Sequence, residues 1–339
     1  MGYGDVWILG AGSSAEVEAD SILKMGAPLV QDFRESALDL QSVLEGDERD
    51  AFGSVLKFWD IYGRSLNIEQ LFGYVDSPAL MRATQLRHPE QLPPDIRKKT
   101  HYLIAKVITE RLGHRISSLH SKYVEQFVKT GGDTITFNWD ITIDRAMIQE
   151  QARVDYGFPE HWGKQSGSPH SLLKLHGSLN WKYCRECNRV DYLDEKEKAT
   201  ESLLGRSRLT CPKDESHNPE ILMIPPVLAK LTDEHSIMET VWRRAFEVLS
   251  RAKRVLIVGY SFPETDLQSR ILINRGLTEA RDLDVICVIT KPKFGSERQR
   301  FEDRYVETLI HSGKRDKIRF EYQTFRDTVR TRKAGDLQL

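Results

Sequence analysis

From Val6 to Glu16 the chain reads VWILGAGSSAE, an apolar run that halts at Gly10-Ala11-Gly12 and continues into Ser13 and Ser14. The apolar run delivers a strand, the glycines permit a tight turn, and the serines suit a helix start. That order opens a parallel-sheet unit, and the pattern returns along the chain. Further strands are predicted at TITFN (Thr134 to Asn138), LLKLHG (Leu172 to Gly177), RVLIVGYS (Arg254 to Ser261), DVICVIT (Asp284 to Thr290) and IRFEYQTF (Ile318 to Phe325). Several are nearly continuous apolar runs, as strands covered on both faces must be. Helices are predicted at Ser14 to Lys24, Ile237 to Arg251, Thr265 to Thr278 and Ser296 to His311. The fold class is therefore α/β, a Rossmann-like doubly wound parallel sheet assembled from both ends of the chain.

Two segments interrupt the alternation. Residues 31–130 read as helical, with apolar spacing at Tyr102, Ala105, Ile108, Leu112 and Ile116 and a proline-rich break at HPEQLPPD (His88 to Asp95). This is too long for a crossover and predicts a helical insertion subdomain. Residues 181–220 are polar and hold Cys184, Cys187 and Cys211. Cys-x-x-Cys spacing lets two thiolates share one tetrahedral zinc, and CPKDESH, beginning at Cys211, offers His217 as the fourth ligand. The competing reading is a redox or idle thiol pair; a polar insertion of this size has little besides a metal to order it. The predicted division is a nucleotide-binding core at 1–30, 131–180 and 221–330, the helical insertion at 31–130, a small zinc-binding insertion at 181–220 and a flexible tail at 331–339.

The bulk numbers exclude several classes. The chain has 339 residues, net charge −1, 40% hydrophobic and 29% charged residues, and mean hydropathy of −0.47. This is a soluble globular composition without a membrane-spanning run or a secretory leader, and a cytoplasmic location is expected. The charge gives no general attraction to nucleic acid or lipid. A local basic excess from Lys291 to Lys333 reads as a solvated helix face. Four cysteines in such a chain do not make a disulfide framework, and Cys287, inside DVICVIT, reads as a buried thiol.

Chemistry is suggested by what the strand ends carry. The Gly10-Ala11-Gly12 turn suits a pyrophosphate, with Ser13 and Ser14 as helix caps or phosphate contacts; it is also compatible with a plain tight turn. Gly259 and Ser261 mark a second glycine-bearing strand end. Asn138 and Asp140 follow the TITFN strand, where such residues form turns, cap a helix or face a ligand. His176 and Gly177 close LLKLHG. Ligand sites of doubly wound sheets form from such termini.

In this order the features resemble the sirtuin superfamily: Gly10-Ala11-Gly12 with Ser13, Asn138-x-Asp140, Leu175-His176-Gly177-Ser178, Cys184-x-x-Cys187 and Gly259-x-Ser261. The resemblance implies NAD held at the glycine turn, with Asn138, Asp140 and His176 around the nicotinamide ribose and Gly259 and Ser261 beside the adenosine half. GAPLVQDFR (Gly26 to Arg34) approximates the family's Gly-Ile-Pro-Asp-Phe-Arg loop with extra residues, which carries Asp32 and Phe33 into the cofactor-binding set. A Phe-Gly-Glu element of protein deacylases is replaced by ILMIPPVLAK (Ile221 to Lys230). That departure, the long helical insertion and GYSFPETD (Gly259 to Asp266) are more similar to bacterial sirtuin-like NAD hydrolases of antiviral defence. The resemblance thus implies an NAD hydrolase with structural zinc, with an NAD-dependent lysine deacylase and a non-catalytic NAD or ADP-ribose sensor as alternatives. A homo-oligomer or a regulatory partner protein is expected, because unregulated loss of NAD would harm the host.

Overall fold

The computed structural model describes residues 4–16, 26–76, 95–113, 116–158, 170–193, 197–211, 213–226 and 236–332. Most of the predicted helix Ser14 to Lys24, nearly all of the HPEQLPPD break and the tail from Lys333 onward lie outside them. Two compact units emerge, one from the described residues of 1–18, 115–175 and 228–339, the other from those of 19–114 and 176–227.

The first unit is built on a six-stranded sheet. In chain order its strands are β1 (Asp5–Leu9), β2 (Asp133–Thr136), β3 (Leu172–Lys174), β7 (Arg254–Val258), β8 (Val285–Thr290) and β9 (Ile318–Tyr322). Their order in the sheet is β3-β2-β1-β7-β8-β9, and every neighbouring pair is parallel. The chain steps outward from β1 to β3, returns to the other flank of β1 as β7, and steps outward again. The order therefore reverses between β1 and β7, and the turns that follow these two strands meet there. All five residues of β1 are buried, as are four of five in β7, so the continuous apolar runs are covered on both faces. One face is packed by Trp7 against Tyr123 and Phe127, at ring separations of 5.2 and 4.6 Å. The predicted helices appear at Ser236–Ser250, Leu267–Glu279 and Gly295–Leu309. On the last, the basic residues Lys293 and Arg298 lie near or within the helix start and pair with Glu297 and Glu302 at 2.6 and 2.8 Å.

The second unit combines helices with a small antiparallel sheet. Helices span Phe33–Val43, Gly46–Tyr62, Ile68–Val75 and Ile96–Leu112. Tyr102, Ala105, Ile108 and Leu112 lie buried on the fourth, whereas Ile116 falls beyond it and is exposed. Gly113, at φ +63°, takes the backbone out of the helix before the apolar spacing ends. The sheet has the order β5-β4-β6, formed by β4 (Gly177–Cys184), β5 (Arg189–Tyr192) and β6 (Glu220–Met223). Trp181, Tyr183 and Val190 are buried in it, so this segment has a small apolar core that its polar composition hides. Glu220 joins sheet to helices by accepting from Arg185 at 2.9 Å and Arg97 at 3.2 Å. Among the described residues no helix is long and apolar enough to cross a membrane.

Candidate functional site

At the point where the strand order reverses, the two glycine turns are interlocked. Gly10 N–H donates to the Val258 carbonyl and Gly12 N–H to the Gly259 carbonyl, both at 3.0 Å. A Cβ on Gly10 would lie 2.5 Å from the Gly259 oxygen, and one on Gly12 would lie 2.7 Å from the Gly259 Cα. Gly259 itself has φ +62°, and its Cβ would come within 2.6 Å of Gly12 Cα and Ser13 N. The glycines thus let two backbone turns approach each other, a demand separate from any ligand's. Ser13 is fully buried and directs both its hydroxyl (2.8 Å) and its N–H (3.0 Å) to the Gly10 carbonyl. Ser261 is exposed two residues beyond Gly259.

Asn138 joins the same knot. Strand β2 ends at Thr136, whose hydroxyl donates to the Leu9 carbonyl at 2.9 Å and accepts from Asn138 N–H at 3.2 Å. The Asn138 Nδ2 then donates to the Gly10 carbonyl at 3.0 Å and to Ser14 Oγ at 3.1 Å. With both amide hydrogens engaged, the group Asn138 can offer a ligand is Oδ1, an acceptor suited to orienting a hydroxyl or water. Phe137 stacks on Tyr260 at 4.1 Å, and the Tyr260 hydroxyl donates to Asp266 at 2.7 Å. The ends of β1, β2 and β7 are thereby bound into one cluster.

Asp140 is buried, and its Oδ1 accepts from Thr142 N–H at 2.9 Å at the start of the helix Thr142–Gln149. That bond closes an Asx turn just ahead of the helix, whose N-cap is Ile141. Its carbonyl accepts from Lys174 Nζ at 2.6 Å. Lys174, Glu16 and His120 are features of this region that sequence reasoning missed. The Glu16 carboxylate accepts from the backbone N–H groups of Phe325 and Arg326, at 3.2 and 2.9 Å, at the start of the helix Phe325–Thr331. His120 is fully buried with Nδ1 2.9 Å from Ser117 Oγ, and its Nε2 has no hydrogen-bond partner among the described residues.

Burial lowers the His120 pKa from 6.5 to about 4, and the nearby Asp140 carboxylate pulls the other way without prevailing. Below pH 6.5 the unfolded chain binds this proton and the folded chain does not, so the stability present above that pH is lost as it falls towards 4. The full loss is about 3 kcal/mol for this group. Urea unfolding compared at about pH 7.5 and about pH 5 is expected to show the loss, and a smaller one in His120→Gln.

The second unit carries the remaining predicted residues. His176 is the residue after Leu175; it is buried, and its carbonyl accepts from Ile224 N–H at 2.9 Å. Gly177 has φ +76°, and a Cβ there would lie 2.2 Å from the Leu222 oxygen, so β4 can begin only at a glycine. Asp32 precedes the helix Phe33–Val43, and its carbonyl accepts from Ser36 Oγ at 2.8 Å, while Phe33 is buried.

Cys184, Cys187, Cys211 and His217 converge with all four ligand atoms within 4.8 Å of one another. Cys187 Sγ to Cys211 Sγ and Cys184 Sγ to His217 Nδ1 are each 3.5 Å. Ligands of a tetrahedral zinc with bonds of about 2.3 Å stand about 3.8 Å apart, so the donor set fits that ion. The His217 Nε2 faces Asp214 at 3.7 Å, a carboxylate placed as metal-bound imidazoles commonly have one. Burial pushes the Cys184 thiol up to about 12. Burial also acts to raise Cys211, but N–H groups of Asp214 and Lys213 outweigh it and bring that thiol down to about 7. A bound cation would supply the charge that stabilises all three thiolates.

No protein-family model and no curated protein matches the chain. Among solved structures it is similar to one described as the structural basis for the mechanism and regulation of Sir2 enzymes, at 13% identity and TM-score 0.40, covering 90% of this chain and 91% of that one. A Sir2 homologue in complex with ADP-ribose is similar at 15% identity and TM-score 0.43, with 91% and 92% covered. A Sir2 complex with an inhibitor, 2'-O-acetyl-ADP-ribose and a deacetylated peptide is similar at 13% and 0.34, with 96% and 90% covered.

Proposed function

We propose that the chain is a sirtuin-type NAD+ hydrolase, which takes water and NAD+ to nicotinamide, ADP-ribose and a proton. The observation that carries this reading is the clustering of the Gly10 turn, the Gly259 turn and the Asn138 amide at the carboxyl ends of β1, β7 and β2. A parallel sheet of this order binds dinucleotides at its reversal point. The order of the Asn-x-Asp, His-Gly and Cys-x-x-Cys motifs supports the choice of NAD chemistry.

Breaking the nicotinamide-ribose bond sends its electron pair to nicotinamide and leaves an oxocarbenium-like sugar. In this reading Asn138 Oδ1 orients the water and ribose, Asp140 orders the nicotinamide end, and His176 accepts the proton. Gly10, Ala11, Gly12 and Ser13 border the pyrophosphate, Gly259 and Ser261 the adenosine half, and Asp32 and Phe33 belong to the cofactor-binding set. Zinc at Cys184, Cys187, Cys211 and His217 orders the insertion and takes no part in bond cleavage. We place the activity in the cytoplasm and in antiviral defence by NAD depletion, held silent by self-association or a partner protein until triggered.

The Cys3His cluster favours a second reading, an NAD-dependent lysine deacylase. Incubation of pure protein with NAD+, with and without an acetylated peptide, separates the two. Nicotinamide release without peptide is expected; release only with peptide selects the deacylase, and binding without release selects a sensor. Asn138→Ala and His176→Ala are each expected to reduce release by about 10²-fold or more. Undiminished release in both variants would remove the assignment.

A further inference from the structure

Lys174 is 1% exposed, at the end of the otherwise apolar strand β3, and lysine is almost never buried to that degree without a reason. Its ammonium donates to Asp144 Oδ2 at 2.9 Å and to the Asp140 carbonyl at 2.6 Å. The other Asp144 oxygen accepts from the buried Tyr156 hydroxyl at 2.5 Å. Stability does not account for this arrangement, since apolar residues of similar volume commonly replace a buried ion pair at no loss. What an apolar residue cannot do is hold the Asp140 carbonyl.

We propose that Lys174 is a positioning residue that fixes the Asn138-Trp139-Asp140 loop, with Asp144 and Tyr156 as the support that keeps its ammonium in place. The loop is pinned at both ends. Asn138 is tied to Gly10 and Ser14 through its side chain, and Asp140 is tied through its main chain to β3. Lys174 can do this because it pairs with Thr136 across the β2–β3 register, which sets its Cα beside the last residue of β2 and lets its long side chain reach past the strand end. The charge sits where a flexible four-carbon stem can span from strand to loop, a reach that Asn, Gln or Ser lacks. This inference rests on the NAD reading for its catalytic consequence and on the geometry alone for the loop.

The test uses the full chain with Asp144→Asn, Lys174→Met and the double variant Lys174→Met/Asp144→Asn, in which no charge is stranded. Amide hydrogen exchange of residues 137–142 is expected to rise by about tenfold or more in the double variant while its melting temperature stays near that of the wild type. Its kcat for nicotinamide release is expected to fall by about tenfold or more, with KM changed by less than about twofold. Asp144→Asn, which removes the carboxylate that supports the ammonium, is expected to give exchange and kcat between those of the wild type and the double variant. A folded double variant with wild-type exchange overturns the proposal, and so does one too unstable to purify, because Lys174 would then be a folding requirement. If the wild-type chain releases no nicotinamide, the NAD reading has failed, and the exchange comparison still decides whether Lys174 fixes the loop.

Discussion

Gly259→Ala is expected to destabilise the chain by about 2 to 5 kcal/mol, a large share of the roughly 5 to 15 kcal/mol that holds a domain folded. Two costs add. A residue with a Cβ at φ +62° pays about 1 to 2 kcal/mol for left-handed backbone. The Cβ would also lie 2.6 Å from Gly12 Cα and Ser13 N, and these are backbone atoms that no rotamer change can move aside. Forcing them apart is an overpacking cost of about 1 to 3 kcal/mol. Gly295→Ala is the control: it too has positive φ, at +54°, but meets nothing within 4 Å. It is expected to cost only the backbone share, about 1 kcal/mol. Urea unfolding of the two variants measures the difference directly. Equal losses would show that the contact between the turns carries no weight.

The second large effect concerns the Cys3His cluster. The purified chain is expected to hold one zinc, and Cys184→Ser or Cys211→Ala is expected to release it. Apparent binding energies of about 10 to 16 kcal/mol for structural zinc in small peptides set the scale of what is lost. The loss should be local, because the cluster ties Cys184 at the end of β4 to Cys211 and His217 on the way to β6. Limited proteolysis is expected to cut between residues 184 and 217 after chelation, with a change in the near-ultraviolet signal of the buried Trp181. A metal-free chain with a Cys187–Cys211 disulfide would favour the redox reading, and unchanged proteolysis after chelation would deny the metal any structural role.

How much of this was legible in the sequence depends on the range over which each feature is decided. The strands of the large sheet were readable because a strand buried on both faces must be apolar throughout, as RVLIVGYS and DVICVIT are. The four residues of the Cys3His cluster were readable because Cys-x-x-Cys spacing, with a third cysteine and a histidine further on, suits one shared tetrahedral ion. The glycines at 10, 12 and 259 were found, but for an incomplete reason: a sequence shows that a turn needs closeness without showing that another turn is what comes close. Lys174 escaped notice because a lysine flanked by leucines looks like the polar face of an edge strand. Its burial depends on Asp144 and Tyr156, whose placement is set by the path of the chain through space. The β4–β5–β6 sheet was also missed. Its strands are short, and Trp181, Tyr183 and Val190 are too few to give a periodic signal.

The register of β1 has a consequence for how the chain is made. Val6 pairs with Asp133 on one side and Val255 on the other, so β1 waits until the chain has been synthesised through Val255 before both its edges are covered. Such distant pairing slows folding and leaves apolar edges open to chaperones in the meantime. It also means that the knot around Gly10 cannot close until the Gly259 turn has been translated. A chain that stops short of Gly259 therefore lacks this knot of backbone turns.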